Sequence, residues 1–262
     1  MKYCRFQTEV GPQYGELAER EGALWIERLL WPFEEDPWTK FAAEPWEPLP
    51  MHEVHLLAPV VPSKIVCIGR NYGEHAAELG NEVPKEPLLF LKAPSAVIAP
   101  GDAIRIPAIS QRVDFEGELA VVIGKRASRI APNEDVRGYI RGYTIVNDVT
   151  ARDLQKSDGQ WSRAKGFDTF CPMGPLVTDE VHPWEGLRVE TRLNGVLKQQ
   201  GTTRDLIFDI AVLLRHITAA MTLLPGDVIS TGTPSGVGPM RAGDRVEVTV
   251  EGLGTLANPV EE

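Results

Sequence analysis

Three acidic residues stand two apart in the chain, Asp114, Glu116 and Glu118, within a stretch (113–123) that carries apolar residues at 113, 115, 119, 121 and 123. In a strand, residues two apart share a face. The spacing therefore puts the three carboxylates on one face and apolar side chains on the other. On a solvated sheet this is an ordinary acidic stripe. Here Ala120 and Val122 continue the acidic face as apolar residues, so the stripe runs into a face that reads as buried on both sides. Buried like charges need a neutralising cation. Two carboxylates on one face suit a hard divalent ion such as Mg²⁺ or Mn²⁺. Asp148 follows a strand expected over 143–146 and is the candidate third ligand. It, or Thr150, equally fits the N-cap of a helix over 150–155.

His75 and Glu78 stand three apart on a helix expected over 71–80, which makes them neighbours on its surface. A carboxylate beside a histidine fixes its tautomer and raises its basicity, the makings of a general base. An exposed His–Glu pair of little consequence has the same spacing. Lys165 reads either as a surface lysine or as an anion-binding one. The glycine-rich run 232–238 matches no nucleotide fingerprint. It reads first as a turn, and otherwise as a loop whose backbone N–H groups can hold a carboxylate.

The elements that must position these residues are mostly short strands. Apolar or alternating runs at 63–69, 113–123, 139–146, 189–193, 227–231 and 245–250 read as β. The clearest helix spans 205–221. Many strands and few helices predict an α+β, β-dominated fold, not a doubly wound sheet. Residues 1–57 differ in texture. They carry four tryptophans, a proline-rich tail and two short strands at 15–18 and 23–26 joined by a polar turn. They read as a small N-terminal β appendage without chemistry of its own, with the main domain over 58–262.

The chain has 262 residues, 43% hydrophobic and 24% charged, the balance of a soluble globular protein. A net charge of −10 argues against nucleic acid and anionic membranes as partners. Cys4, Cys67 and Cys171 are too scattered for a disulfide framework or a zinc site. The opening stretch MKYCRFQTEVGPQYG lacks a signal peptide's apolar run, and Asp209, Arg215 and His216 interrupt the most apolar long segment, 206–224. A cytoplasmic location is expected.

Six stretches in order resemble the fumarylacetoacetate hydrolase family: GRNYGEHAAE at 69–78, FLKAPSA at 90–96, DFEGELAVVIGK at 114–125, GYTIVNDVTARDLQ at 142–155, KGFDTFCPMGP at 165–175 and LPGDVISTGTPSGVG at 224–238. The resemblance covers roughly 58–255. It implies a β-roll with mixed strands, a homodimer, and a Mg²⁺ or Mn²⁺ site made by Glu116, Glu118 and Asp148. It implies catalytic roles for His75, Glu78 and Lys165, and substrate contacts for Arg70, Gln155 and Thr233. It sets aside the cap-only account of Asp148. The family acts on 2-oxo acids and their enols through a metal-stabilised enolate. The expected activity is that of a 2-hydroxyhepta-2,4-diene-1,7-dioate isomerase in aromatic-compound catabolism. The alternatives are an acylpyruvate hydrolase, an oxaloacetate decarboxylase, or a non-catalytic metal-binding relative. Phe115 stands where many relatives carry tyrosine, and Ala93 where proline is common.

Overall fold

The computed structural model describes residues 1–42, 45–78 and 82–262, and of Ala76 and Ala77 the backbone alone. Strands dominate, as the short β-branched runs require. The main sheet is mixed. Its order runs Leu49–Pro50, Ala23–Leu30, Gly11–Arg20, Lys2–Thr8, Cys171–Thr178, Ile140–Asn147, Gly117–Ile123, Val228–Ser230, Ile65–Gly69 and Leu88–Lys92. Val228–Ser230 and Ile65–Gly69 pair in parallel, while the other neighbours along this order pair antiparallel. The N-terminal strands extend this sheet, because Lys2–Thr8 pairs with Cys171–Thr178.

Both faces of the sheet are covered. Leu119, Val121, Ile123 and Ile145 join one apolar cluster with Ile210, Leu213, Leu214 and Ile217 of the helix Ile210–Ala220. Ala120, Val122, Val146 and Met173 join a second cluster on the other face. A five-stranded sheet, ordered Val196–Thr202, Arg188–Leu193, Arg245–Val250, Gly254–Glu261 and Ile104–Arg105, packs alongside. Its first hairpin turns on Asn194-Gly195, both in the left-handed region (φ 53° and 77°), as a two-residue type I′ turn demands.

Three expectations need correction. The stretch 113–123 is not one strand. It breaks at Glu116 into Val113–Phe115, in a three-stranded sheet with Thr150–Ala151 and Gly238–Met240, and Gly117–Ile123 in the main sheet. The helix expected from 205 begins at Ile210, because the Asp209 side chain caps it by accepting from the Val212 N–H at 2.8 Å. Neither Asp148 nor Thr150 caps the next helix. Thr150–Ala151 is a strand, and Arg152–Asp158 starts without a side-chain cap. The helix over His75 is seen as Gly73–Glu78, and its expected end at Gly80 lies outside the described residues. Among the described residues no helix is long and apolar enough to cross a membrane.

Candidate active site

The break at Glu116 gathers the acidic residues. Glu118 lies on the face of Ala120 and Val122, at the edge of the second apolar cluster. Glu116 sits at the break, and Asp148 follows the paired strand Ile140–Asn147. Their carboxylate oxygens lie within 4.8 Å of one another, and all three side chains are buried. Asp114 is not brought in. It is fully buried but bound by Arg112 (2.9 and 3.1 Å) and Arg152 (3.0 Å).

The three carboxylates are not electrostatic equals. Glu116 faces Arg152 at 2.5 Å and Lys165 at 2.8 Å. Asp148 faces Lys165 at 2.5 Å and Lys92 at 2.6 Å. Among the described residues Glu118 accepts only from neutral donors, the Ser230 hydroxyl at 2.5 Å and the Gly232 N–H at 2.8 Å. Burial works against ionisation of Glu116, but the charges of Lys165 and Arg152 outweigh it and hold its carboxyl well below the usual range. For Glu118, burial and then the charges of Asp148 and Glu116 act together and push its carboxyl up to about 8. Burial lowers Lys165 less than Asp148 and Glu116 raise it, so its ammonium is pushed up to about 12.

These groups line a cavity of about 420 Å³, its open mouth included. Eight of the nine residues expected at the site line it: Arg70, His75, Glu116, Glu118, Asp148, Gln155, Lys165 and Thr233. Glu78 stands behind His75, its carboxylate 3.4 Å from Nδ1, and also accepts the Gly236 N–H at 3.1 Å. The glycine-rich loop thus spends two N–H groups, those of Gly232 and Gly236, on the chain's own carboxylates. The Thr233 hydroxyl is also engaged, donating to the Gly117 carbonyl at 2.9 Å and accepting from Gln199 at 2.7 Å.

Arg70 ends the Ile65–Gly69 strand in the left-handed region (φ 58°), a conformation non-glycine residues hold only where their surroundings enforce it. Its guanidinium lies 6.0 Å from the centre of the Trp161 ring and makes no ion pair among the described residues. Phe90 packs edge-on against Trp161, and the Lys165 ammonium lies 4.8 Å from the centre of the Phe90 ring. Phe90 and Trp161 thus give the cavity an aromatic lining. Gln155 accepts from Arg152 at 2.7 Å, which fixes its amide.

Lys92, Arg152, Trp161 and Ser230 were not singled out by sequence spacing. Lys92 and Arg152 lie inside the FLKAPSA and TARDLQ stretches. An acidic cluster that reads as buried requires cations of its own, and that demand is the signal that points to them.

The geometry defines a mixed β-roll with a buried three-carboxylate pocket. A family model described as fumarylacetoacetate (FAA) hydrolase C-terminal matches residues 64–261, and one described as Rv2993c-like, N-terminal matches residues 1–59. The chain belongs to the fumarylacetoacetate hydrolase family. It is 51% identical over 222 residues to protein Rv2993c of Mycobacterium tuberculosis, covering 84% of this chain and 82% of that protein. It is 46% identical to the oxaloacetate tautomerase YisK of Bacillus subtilis, covering 80% and 74%. The crystal structure described as 2-hydroxyhepta-2,4-diene-1,7-dioate isomerase from Mycobacterium marinum superposes with a TM-score of 0.86 at 42% identity, covering 100% of this chain and 98% of that one.

Proposed function

We propose that this chain is a divalent-metal-dependent isomerase that moves a proton between carbon and oxygen of a 2-oxo acid and its enol. The observation that carries the reading is the pairing of a buried His75, backed by Glu78, with a cluster of three carboxylates in one cavity. Two relatives support it from different directions, since one is named a dienedioate isomerase and the other an oxaloacetate tautomerase. Both names describe a double-bond shift in which only C–H and O–H bonds break and form.

The donor set fits a hard divalent ion. It consists of oxygen only, it is buried, and among the described residues no cationic side chain bonds Glu118. Glu116, Glu118 and Asp148 would hold Mg²⁺ or Mn²⁺, which supplies Lewis-acid stabilisation of negative charge developing on the substrate's oxygen. His75 takes the proton from one substrate position and returns it to the other. Glu78 accepts from Nδ1 and so leaves Nε2 as the basic nitrogen. Lys165 adds positive charge beside the reacting oxygen. Arg70, which has no carboxylate partner among the described residues, takes the substrate's far carboxylate, and Trp161 with Phe90 excludes water from the diene or methylene between. Gln155 and the Thr233 loop hold the near end.

The first substrate to test is 2-hydroxyhepta-2,4-diene-1,7-dioate, and the second is oxaloacetate, which the tautomerase relatives favour. Hydrolysis of acylpyruvates and decarboxylation of oxaloacetate are the competing outcomes on the same pocket. An inert metal-binding relative has no use for the His75–Glu78 pair. Incubation of the Mg²⁺-loaded protein with these substrates, with products identified by NMR, tests the reading. Double-bond migration without loss of carbon supports it. Carbon loss or bond cleavage as the fastest reaction, or no turnover, defeats it.

A further inference from the structure

Gln199 is fully buried on the Val196–Thr202 strand of the second sheet, and it is not among the residues lining the cavity. We infer that Gln199 is a positioning residue that sets the spacing between the carboxylate cluster and the Thr233 loop. The inference rests on the metal-site reading above and adds to it a residue outside the pocket.

A backbone that leaves its ladder strands polar groups, and buried ones must find partners. At Glu116–Gly117 all four are accounted for. The Glu116 N–H donates to Asn147 Oδ1 at 2.9 Å, and the Glu116 carbonyl accepts from the Asp148 N–H at 2.8 Å. The Gly117 N–H donates to Gln199 Oε1 at 3.0 Å, and the Gly117 carbonyl accepts from the Thr233 hydroxyl at 2.9 Å. Gln199 Nε2 then donates to Thr233 Oγ1 at 2.7 Å and to the Pro234 carbonyl at 2.8 Å. Gly117, Gln199 and Thr233 thus close a ring of hydrogen bonds.

The direction of that ring is fixed. A carbonyl only accepts, so the end of the amide facing Pro234 must be nitrogen and the end facing the Gly117 N–H must be oxygen. The Thr233 hydroxyl accepts from that nitrogen and so sends its own proton to Gly117. There is also no slack. A Cβ on Gly117 would stand 2.1 Å from Thr191 Oγ1 and 2.8 Å from Val248. The second sheet therefore presses on the break that aims Glu116, while one of its side chains grips the loop whose Gly232 N–H holds Glu118.

The test uses Mn²⁺ alone and then oxalate on the Mn²⁺-loaded protein, both by calorimetry, with thermal melts as the measure of fold. Gln199→Met keeps the volume and removes both ends of the ring. It is expected to stay folded and to bind Mn²⁺ roughly 10–100-fold more weakly, the usual loss when a ligand's support is removed. Gln199→Glu keeps the acceptor for Gly117 and loses the donors to Thr233 and Pro234. It is expected to hold Mn²⁺ within a few-fold of wild type while oxalate binding weakens at least tenfold. Thr233→Val breaks the ring on both sides, since it also deprives the Gly117 carbonyl beside Glu116 of its donor. Thr233 is not a metal ligand, so a substrate-binding role alone would leave Mn²⁺ affinity unmoved, whereas the ring predicts a loss of about tenfold. A Gln199→Met protein with wild-type affinities and only a lowered melting temperature overturns the inference. If that variant does not fold, unchanged Mn²⁺ binding by Thr233→Val overturns it. Wild-type protein that binds no Mn²⁺ overturns the metal reading itself and this inference with it.

Discussion

Glu118→Gln and Asp148→Asn look like equivalent changes, yet the pocket predicts opposite effects on the metal-free protein. Asp148 is 1% exposed and holds two buried ammonium groups, those of Lys92 and Lys165. Asp148→Asn leaves Lys165 its second partner, Glu116, but strands Lys92 among the described residues, and a stranded buried charge costs about 3–5 kcal/mol. At roughly 2–4 °C per kcal/mol for a domain near this size, the melting temperature should fall by roughly 6–20 °C. Glu116→Gln, which takes one of two carboxylate partners from Arg152 (Asp114 remains) and from Lys165 (Asp148 remains), should destabilise by a smaller amount. Among the described residues Glu118 pairs with no cationic side chain. A glutamine oxygen can still accept from Ser230 and Gly232, so Glu118→Gln should leave stability unchanged or raise it.

The pH dependence follows with its sign. Because the folded Glu118 carboxyl is pushed up to about 8, the folded state holds a proton that the unfolded chain releases near the ordinary carboxylate value. Its contribution to stability is complete below that ordinary value. It declines by up to about 1.4 kcal/mol per unit as pH rises toward 8. Glu118→Gln lacks this decline, so its advantage over wild type should grow from pH 5 to pH 8 and then level off. Thermal and urea unfolding in EDTA across that range measures it. Equal losses from all three substitutions, or an advantage for Glu118→Gln that shrinks with pH, would refute the electrostatic ranking.

His75→Ala should lower kcat by about 10²–10⁴-fold while oxalate affinity stays within a few-fold, and Glu78→Gln should give a smaller loss; steady-state kinetics with calorimetry reads both. Mn²⁺ affinity should rise with pH up to about 8, with about one proton released per ion bound at pH 7; Glu118→Gln should abolish that release, which calorimetry in buffers of different ionisation enthalpy detects. Gly117→Ala should lower both stability and metal affinity, since its Cβ has no room beside Thr191; a wild-type melt and wild-type Mn²⁺ binding would contradict the packing argument. Light scattering at micromolar concentration should give the mass of a homodimer, as expected of the family.

The sequence carried the site further than it carried the elements. Glu116 and Glu118 were legible as neighbours because a period of two survives even where the strand breaks at Glu116. Asp148 was ambiguous from spacing, since a capping aspartate and a ligand look alike until the next residues prove to be strand. Lys92 and Arg152 were overlooked because a cation that neutralises a buried carboxylate comes from elsewhere in the chain, 56 residues away for Lys92–Asp148. Gln199 was invisible for the same reason, as its partners lie 82 and 34 residues off. The Asn194-Gly195 pair was a local signal for the hairpin that carries it. The start of the long helix was misjudged by propensity, because Asp209 is the cap and the residues before it form their own short turn.

The central claim is proton transfer by His75 in a metal-dependent pocket. It is tested most directly by following oxaloacetate and 2-hydroxyhepta-2,4-diene-1,7-dioate in D₂O by proton NMR, with and without EDTA. The account predicts that the wild-type protein with Mg²⁺ incorporates deuterium at substrate carbon, or shifts the double bond, faster than it consumes carbon skeleton. EDTA and His75→Ala should each suppress that exchange. Exchange that persists in EDTA, or a His75→Ala protein that exchanges at the wild-type rate, would contradict it.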